Sequence, residues 1–208
     1  MIEKEAMYKL TYGLFVLTTK DENGKDNGCI VNTVMMLTDN PKRITVFVNK
    51  SNYTEETIRK TGVFNACVLT ESAPFSTFEQ FGFQSGKNVD KTAGKAYPRT
   101  ENGIIYIPEN VNAVISAKVI DAHDYGTHTL FVAEVTEAAK LSDEKSVTYE
   151  YYQNNIKPKP KAAEKPQSGK KKWVCKICGY EYEGEELPED FVCPWCKHPA
   201  EDFELVIG

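Results

Sequence analysis

Two Cys-x-x-Cys pairs, Cys175-Lys-Ile-Cys178 and Cys193-Pro-Trp-Cys196, lie within 22 residues of one another near the C-terminal end of the chain. No other feature restricts folding as tightly. The 36 residues from Trp173 to Gly208 fall below the ~40 that usually fold without a disulfide or metal. Two such loops can set four thiolates at the corners of a tetrahedron, which suits zinc or thiolate-bound iron. The other two of the six cysteines, Cys29 and Cys67, stand alone in apolar segments. Placement of this kind marks metal ligands in a reducing compartment rather than a disulfide framework. The N-terminal MIEKEAMYKL has no apolar signal region, and no apolar run approaches the ~18 residues of a membrane span. A cytoplasmic chain without a membrane partner is expected.

Charge divides the 208 residues into three. Residues 1–156 carry 16 Lys/Arg against 20 Asp/Glu, residues 157–172 carry 7 against 1, and residues 173–208 carry 2 against 9. The middle stretch contains KPKPKAAEKPQSGKK and no large apolar residue, so it predicts an extended, flexible linker. A nucleic-acid binder would display its basic charge on a folded face, not on a tether between acidic bodies. Nucleic acid is therefore excluded as a partner.

Upstream of the linker, short apolar runs rich in β-branched and aromatic residues alternate with turn signals, which predicts a mainly β (α+β) domain of antiparallel strands. Expected strands are Leu10–Thr19, Cys29–Met35, Arg43–Asn49, Val63–Leu69, Val111–Asp121 and Thr129–Thr136. A helix is expected from about Tyr53 to Lys60, with Asn52 as N-cap, Glu55 three residues on and Gly62 as stop. A second follows Pro74, where Phe75, Phe78 and Phe81 recur at helical spacing, and a third lies within residues 1–9. The stretch Ser85–Glu101 reads as a long functional loop.

Cysteine spacing alone favours a structural zinc ribbon. The neighbours Trp173, Gly179, Tyr180, Tyr182, Asp190, Phe191, Pro194, Phe203 and Glu204 instead resemble rubredoxin, the one-iron electron carrier. That resemblance implies a single iron on Cys175, Cys178, Cys193 and Cys196. Trp173, Tyr180, Phe191, Trp195 and Phe203 would supply a dry aromatic shell, and backbone N–H groups would tune the potential. The short loop between the pairs, and Lys197 where a glycine is usual, resemble the rubredoxin-type tail of rubrerythrins.

Three runs in residues 1–156 are informative: Gly28–Met36, Asn49–Thr54 and His128–Val135. Together they resemble the flavin reductase-like family, whose fold is an FMN-binding split β-barrel with short helices. The resemblance implies that Asn32, Thr33, Val34 and Met35 line the isoalloxazine edge and that His128 stands beside the flavin as a catalytic residue. Lys50, Ser51, Asn52 and Thr54 fall at a predicted helix start, where free N–H groups and the helix dipole attract a phosphate. Asn52 and Thr54 serve equally well as plain helix caps. The run Phe81–Lys91 resembles the family's segment that closes over the cofactor, which brings in Ser85, Gly86 and Lys91. Lys91 would neutralise the phosphate or hold N1 of reduced flavin, whereas Lys87 reads as solvated and Cys29 as core.

A flavin domain tethered to a rubredoxin-like domain resembles the high-molecular-weight rubredoxins. That resemblance implies an enzyme taking electrons from NADH or NADPH on FMN and passing them through its iron to a flavodiiron protein. Homodimers are implied too, because the resembling barrels pair and share their flavin sites. No G-x-G-x-x-G fingerprint is present, so an electron carrier without a nicotinamide site stays open. A zinc clip for protein contacts is the third reading.

Overall fold

The computed structural model describes residues 4–7, 9–158, 171–175, 180–193 and 199–206. It falls into two compact units, Met1–Lys157 and Pro158–Gly208. The expected linker lies mostly outside the described residues, as do Cys178, Trp195, Cys196 and Lys197.

Seven antiparallel strands build the first unit: β1 (Phe15–Lys20), β2 (Asp26–Val31), β3 (Met35–Thr38), β4 (Arg43–Asn49), β5 (Val63–Leu69), β6 (Val111–Asp124) and β7 (His128–Lys140). They form one ladder in the order β2-β1-β5-β6-β7-β4-β3. Its two edge strands, β2 and β3, are joined by Asn32–Val34 alone. The four Cα steps from Val31 to Met35 span at most about 14 Å. A flat ladder of this width would separate its edges by about 29 Å. The sheet therefore curls into a barrel that stays split between β2 and β3. Alternation assigns the faces. Leu17, Phe64, Ala66, Phe131 and Ala133 point into the lumen with Ile44, Val46 and Val48, while Val16, Cys67, Leu69 and Val114 face the outer cluster.

Of the helices, α2 (Tyr53–Thr61) follows β4 and lays Ile58 into the lumen core. It ends at Gly62, whose φ of 71° suits glycine and whose N–H donates to the Ile58 carbonyl. Asn52 stands at the N-cap without a side-chain cap bond, so the expected capping box does not form. Helix α3 (Phe75–Gly82) packs Phe78 and Phe81 into the outer cluster, where they meet Val147 and Tyr152 beside α4 (Tyr149–Tyr151). The expected third helix is the single turn α1 (Lys4–Met7).

Strand β1 begins at Phe15 rather than Leu10, and β2 at Asp26 rather than Cys29, the latter because the hairpin turn at Gly24 carries the ladder down to Lys20 and Asp26. The predicted Cys29–Met35 strand breaks at the crossover. No helix or strand forms from Ser85 to Glu101, and Ile104, Ile105 and Ile107 beyond that stretch are core residues. Buried side chains hold that segment: Thr18 Oγ1 donates to the Ile105 carbonyl at 2.5 Å and Asn65 Nδ2 to the Ile104 carbonyl at 3.2 Å.

The second unit contains a three-stranded sheet, β10-β8-β9, of β8 (Lys172–Cys175), β9 (Glu181–Glu183) and β10 (Phe203–Val206). Replacing the fully buried Phe64 by alanine should lower unfolding free energy by about 3–5 kcal/mol, read from the denaturation midpoint of the full chain. A loss under about 1 kcal/mol would contradict the lumen core described here.

Candidate functional site

Five stretches distant in sequence meet at the split end of the barrel. In the crossover, the Thr33 hydroxyl donates to the Phe47 carbonyl at 2.9 Å and accepts from the Phe47 N–H at 3.2 Å. It replaces the ladder partner that β4 lacks there. Asn32 and Val34 are half-buried, and Val34 packs against the lumen core, while the Met35 side chain is exposed.

Two positions beyond Phe47, Asn49 pairs in register with His128 at the start of β7. The chain then turns tightly: the Asn49 side chain accepts from the Ser51 N–H and its carbonyl from the Asn52 N–H, both at 2.9 Å. This turn opens α2. The Glu55 N–H donates to the Asn52 carbonyl at 3.0 Å, while the Tyr53 and Thr54 N–H groups have no acceptor among the described residues, so they and the helix dipole present a site for an anion such as a phosphate. Lys50 stands on the same turn, its ammonium 2.6 Å from Asp124, and that contact holds the Asp124 carboxyl below its usual range. Half-exposed pairs of this type contribute under about 1 kcal/mol, so a phosphate can recruit the ammonium. His128 is half-buried with Nδ1 2.9 Å from the Thr127 hydroxyl.

Thr54 is 1% exposed and its hydroxyl accepts from Asn27 Nδ2 at 2.9 Å. Its side chain therefore works behind the helix start rather than on the solvent side. Lys91, expected at a phosphate or at flavin N1, is 7% exposed and donates to the Gly28 and Phe81 carbonyls at 2.8 and 3.0 Å. It anchors the 85–91 loop to β2 and α3, and burial lowers its pKa. Gly86 sits so close to Asn27 that a Cβ there would stand 2.1 Å from Oδ1. Lys25 Nζ donates to the Gly86 carbonyl at 3.1 Å, and Ser85 accepts from the Lys87 N–H. Lys87 is exposed, as expected, and pairs at the surface with Glu56 at 2.9 Å, 5.7 Å from the Tyr53 ring centre. The loop thus rests on the first turns of α2.

Cys29 lies in the lumen core, as expected. Burial pushes its thiol up, opposed by the Thr54 hydroxyl and Lys91. Cys67 is pushed up to about 12 by burial, so neither is a ready nucleophile.

Sequence reasoning missed two groups. Asn27 lies in an Asn-Gly pair that reads as a turn but occupies β2. Glu55, expected in a capping box, is buried and accepts from Arg59 Nη2 at 2.6 Å and from the Thr129 hydroxyl, which in turn accepts from Arg59 Nη2 at 2.8 Å. The i,i+4 spacing of Glu55 and Arg59 was the available signal. This cluster ties α2 to the residue after His128.

In the second unit Cys175 and Cys193 are both 0% exposed and share one cluster with Phe203. Trp173, Tyr180, Tyr182, Leu187 and Phe191 pack around it, with Phe191 and Phe203 edge-on at 5.3 Å. Two thiols in a dry aromatic shell suit a thiolate-bound metal. Cys178 and Cys196, the other expected ligands, lie outside the described residues, and among the described ones no group of three or more His, Cys, Asp or Glu side chains is placed to hold a metal ion.

Comparison with known proteins gives the same division. Residues 7–159 match the flavin reductase like domain and residues 173–204 the rubrerythrin, rubredoxin-like domain. The chain is 34% identical to a high molecular weight rubredoxin of Moorella thermoacetica, across 99% of this chain and 100% of that protein. It is 38% identical to a ferric-chelate reductase (NAD(P)H) of Archaeoglobus fulgidus, across 73% of this chain and 89% of that one. Among solved structures, an NADH:FAD oxidoreductase of Streptomyces globisporus superposes with a TM-score of 0.62 at 17% identity, covering 69% of this chain and 83% of that one. This last likeness shows the shared fold.

Glu55→Ala strips a buried carboxylate from Arg59 and Thr129 and should cost about 1–3 kcal/mol, measured by thermal or denaturant unfolding, with Glu55→Gln intermediate. Equal stability of Glu55→Ala and the native chain would show that the cluster does not secure α2.

Proposed function

The chain belongs to the flavin reductase-like family, in the form that carries a C-terminal rubredoxin-like domain, and from that membership we propose that it takes electrons from NADH or NADPH on bound FMN and passes them to one iron held by Cys175, Cys178, Cys193 and Cys196. A partner such as a flavodiiron oxygen or nitric oxide reductase then receives them. The observation that carries this reading is the union, on one chain, of a flavin reductase match over residues 7–159 and a rubredoxin-like match over residues 173–204.

Bound FMN supplies the conversion between a two-electron hydride donor and a one-electron iron acceptor. The residues present fit it. The first turn of α2, with Lys50, Ser51 and Asn52, offers a phosphate N–H groups and an ammonium; Asn32–Val34 offers the ring edge a backbone outside the ladder, next to Met35 at the start of β3. Ser85 and Gly86 sit on the loop that covers the helix start. His128 orients through Thr127 and keeps Nε2 for ligand, having no protein partner for it among the described residues. Lys91 supports this site from within the fold.

The nine Asp and Glu residues of 173–208 support docking on a basic partner surface, so transfer to that partner should weaken with salt. Lys172 already pairs with Glu181 and Glu183, and Lys171 with Glu185. Homodimer formation is supported by edge strand β3, where Met35 and Met36 are 60% and 74% exposed, a surface that isolated proteins rarely leave open. No helix among the described residues is long and apolar enough to cross a membrane, and the thiolate chemistry suits the reducing cytoplasm. The second reading is a carrier that has the same flavin and iron but no nicotinamide site and is reduced by another protein.

An absorption spectrum and metal analysis of the purified chain, before and after anaerobic NADH or NADPH, decide among these. The proposal expects FMN and iron in equal amounts, both bleached by a nicotinamide. Bleached flavin beside oxidised iron refutes internal transfer; zinc in place of iron refutes the electron outlet; no bleaching favours the carrier. Cys193→Ser should lose the iron–thiolate absorption yet keep nicotinamide-driven flavin reduction, measured by nicotinamide consumption with added FMN.

A further inference from the structure

Asn27 is 2% exposed and has no part in the flavin contacts proposed above. Its amide nevertheless touches two of the segments that make them. Nδ2 donates to the Thr54 hydroxyl at 2.9 Å, which ties β2 to the first turn of α2. Oδ1 has no hydrogen-bond partner among the described residues and lies beneath Gly86, where even a methyl group would collide with it. A buried amide with an unsatisfied oxygen is destabilising by itself, so stability does not account for the arrangement. Leucine or valine would fill the same space in β2 at lower cost.

Position does account for it. Thr54 stands within the first turn of α2, where the orientation of a few N–H groups determines how well an anion is held. The same amide supports the loop whose Ser85 and Gly86 pass over that turn. One planar side chain thereby sets the distance between helix start and covering loop. We propose that Asn27 is a positioning residue for flavin binding: acting through Thr54, it aligns the phosphate-binding turn of α2 with the 85–86 loop. This rests on the flavin site proposed above.

The full chain, freed of flavin and titrated with FMN while fluorescence quenching is followed, tests it in a double-mutant cycle. Loss of the buried bond should weaken FMN binding about tenfold in Asn27→Ala and in Thr54→Val. Thr54→Ser, which keeps the hydroxyl, should bind as the native chain does. If Asn27 acts through Thr54, the double variant should bind no more than about twofold more weakly than either single variant. Turnover at saturating FMN should stay within about twofold of native in all of them, since no reacting group has changed. A purely structural role predicts a lowered unfolding midpoint with native affinity, or two losses that multiply; either result overturns the proposal. Should Asn27→Ala not fold, Thr54→Val and Thr54→Ser remove and restore the same bond from its other end and decide alone. A native chain that binds no FMN would instead defeat the flavin reading itself, before any variant is made.

Discussion

The three residues Asn32–Val34 govern the architecture of the first unit. They join the two outermost strands of a seven-stranded ladder, and so short a connection leaves the sheet no choice but to curl. Curling creates the lumen that buries Phe64 and Phe131, and it also leaves one seam where ladder bonds stop. Thr33 covers part of that seam by bonding both backbone groups of Phe47. A seam in a barrel is where backbone donors and acceptors remain for a ligand, so closing the fold and opening the site are one event.

Polar groups buried near the seam follow from that. Lumen positions elsewhere are filled by Leu, Val, Ile, Phe, Ala and Cys29. Around the start of α2 stand Asn27, Thr54, Glu55 and Thr129, with Lys91 at 7% exposure. Each engages a partner from another element, and a partner lost would leave a buried polar atom exposed to its full desolvation penalty. Such contacts demand one geometry, whereas apolar packing accepts several. The helix start, the covering loop and the start of β7 are therefore held in register by bonds, while the remainder of the barrel is held by area.

This difference explains what could be read from the sequence. Strands β4 and β5 have the bounds that alternation predicts, Arg43–Asn49 and Val63–Leu69, and Gly62 stops α2 where its freedom of φ is needed. Apolar periodicity is a local signal that burial then enforces. The break inside Gly28–Met36 was not legible, because its cause is the closure of a barrel whose other strands lie up to residue 140. No element is expected at Ile104–Ile107 from local pattern, because the Ile104 and Ile105 carbonyls are held by Thr18 and Asn65, side chains far upstream. At the site, Lys50, Ser51 and His128 were named from motifs, but Asn27 and Glu55 acquire their roles only from partners across the fold. Lys91 shows the converse: its charge suggested a ligand, and its neighbours made it an anchor.

The second unit works under the opposite constraint, having too little area to fold by burial. Cys175, Cys193 and Phe203 are its only fully buried residues among those described, and two of the three are thiols. A metal there would be the core itself. In the proposed role that coupling has an electrical consequence. An electron arriving at a thiolate-bound iron adds negative charge to a dry aromatic shell on a unit with nine carboxylates. Low polarity and like charge would both resist that addition. A centre built in this way suits an outlet towards a partner better than a reservoir.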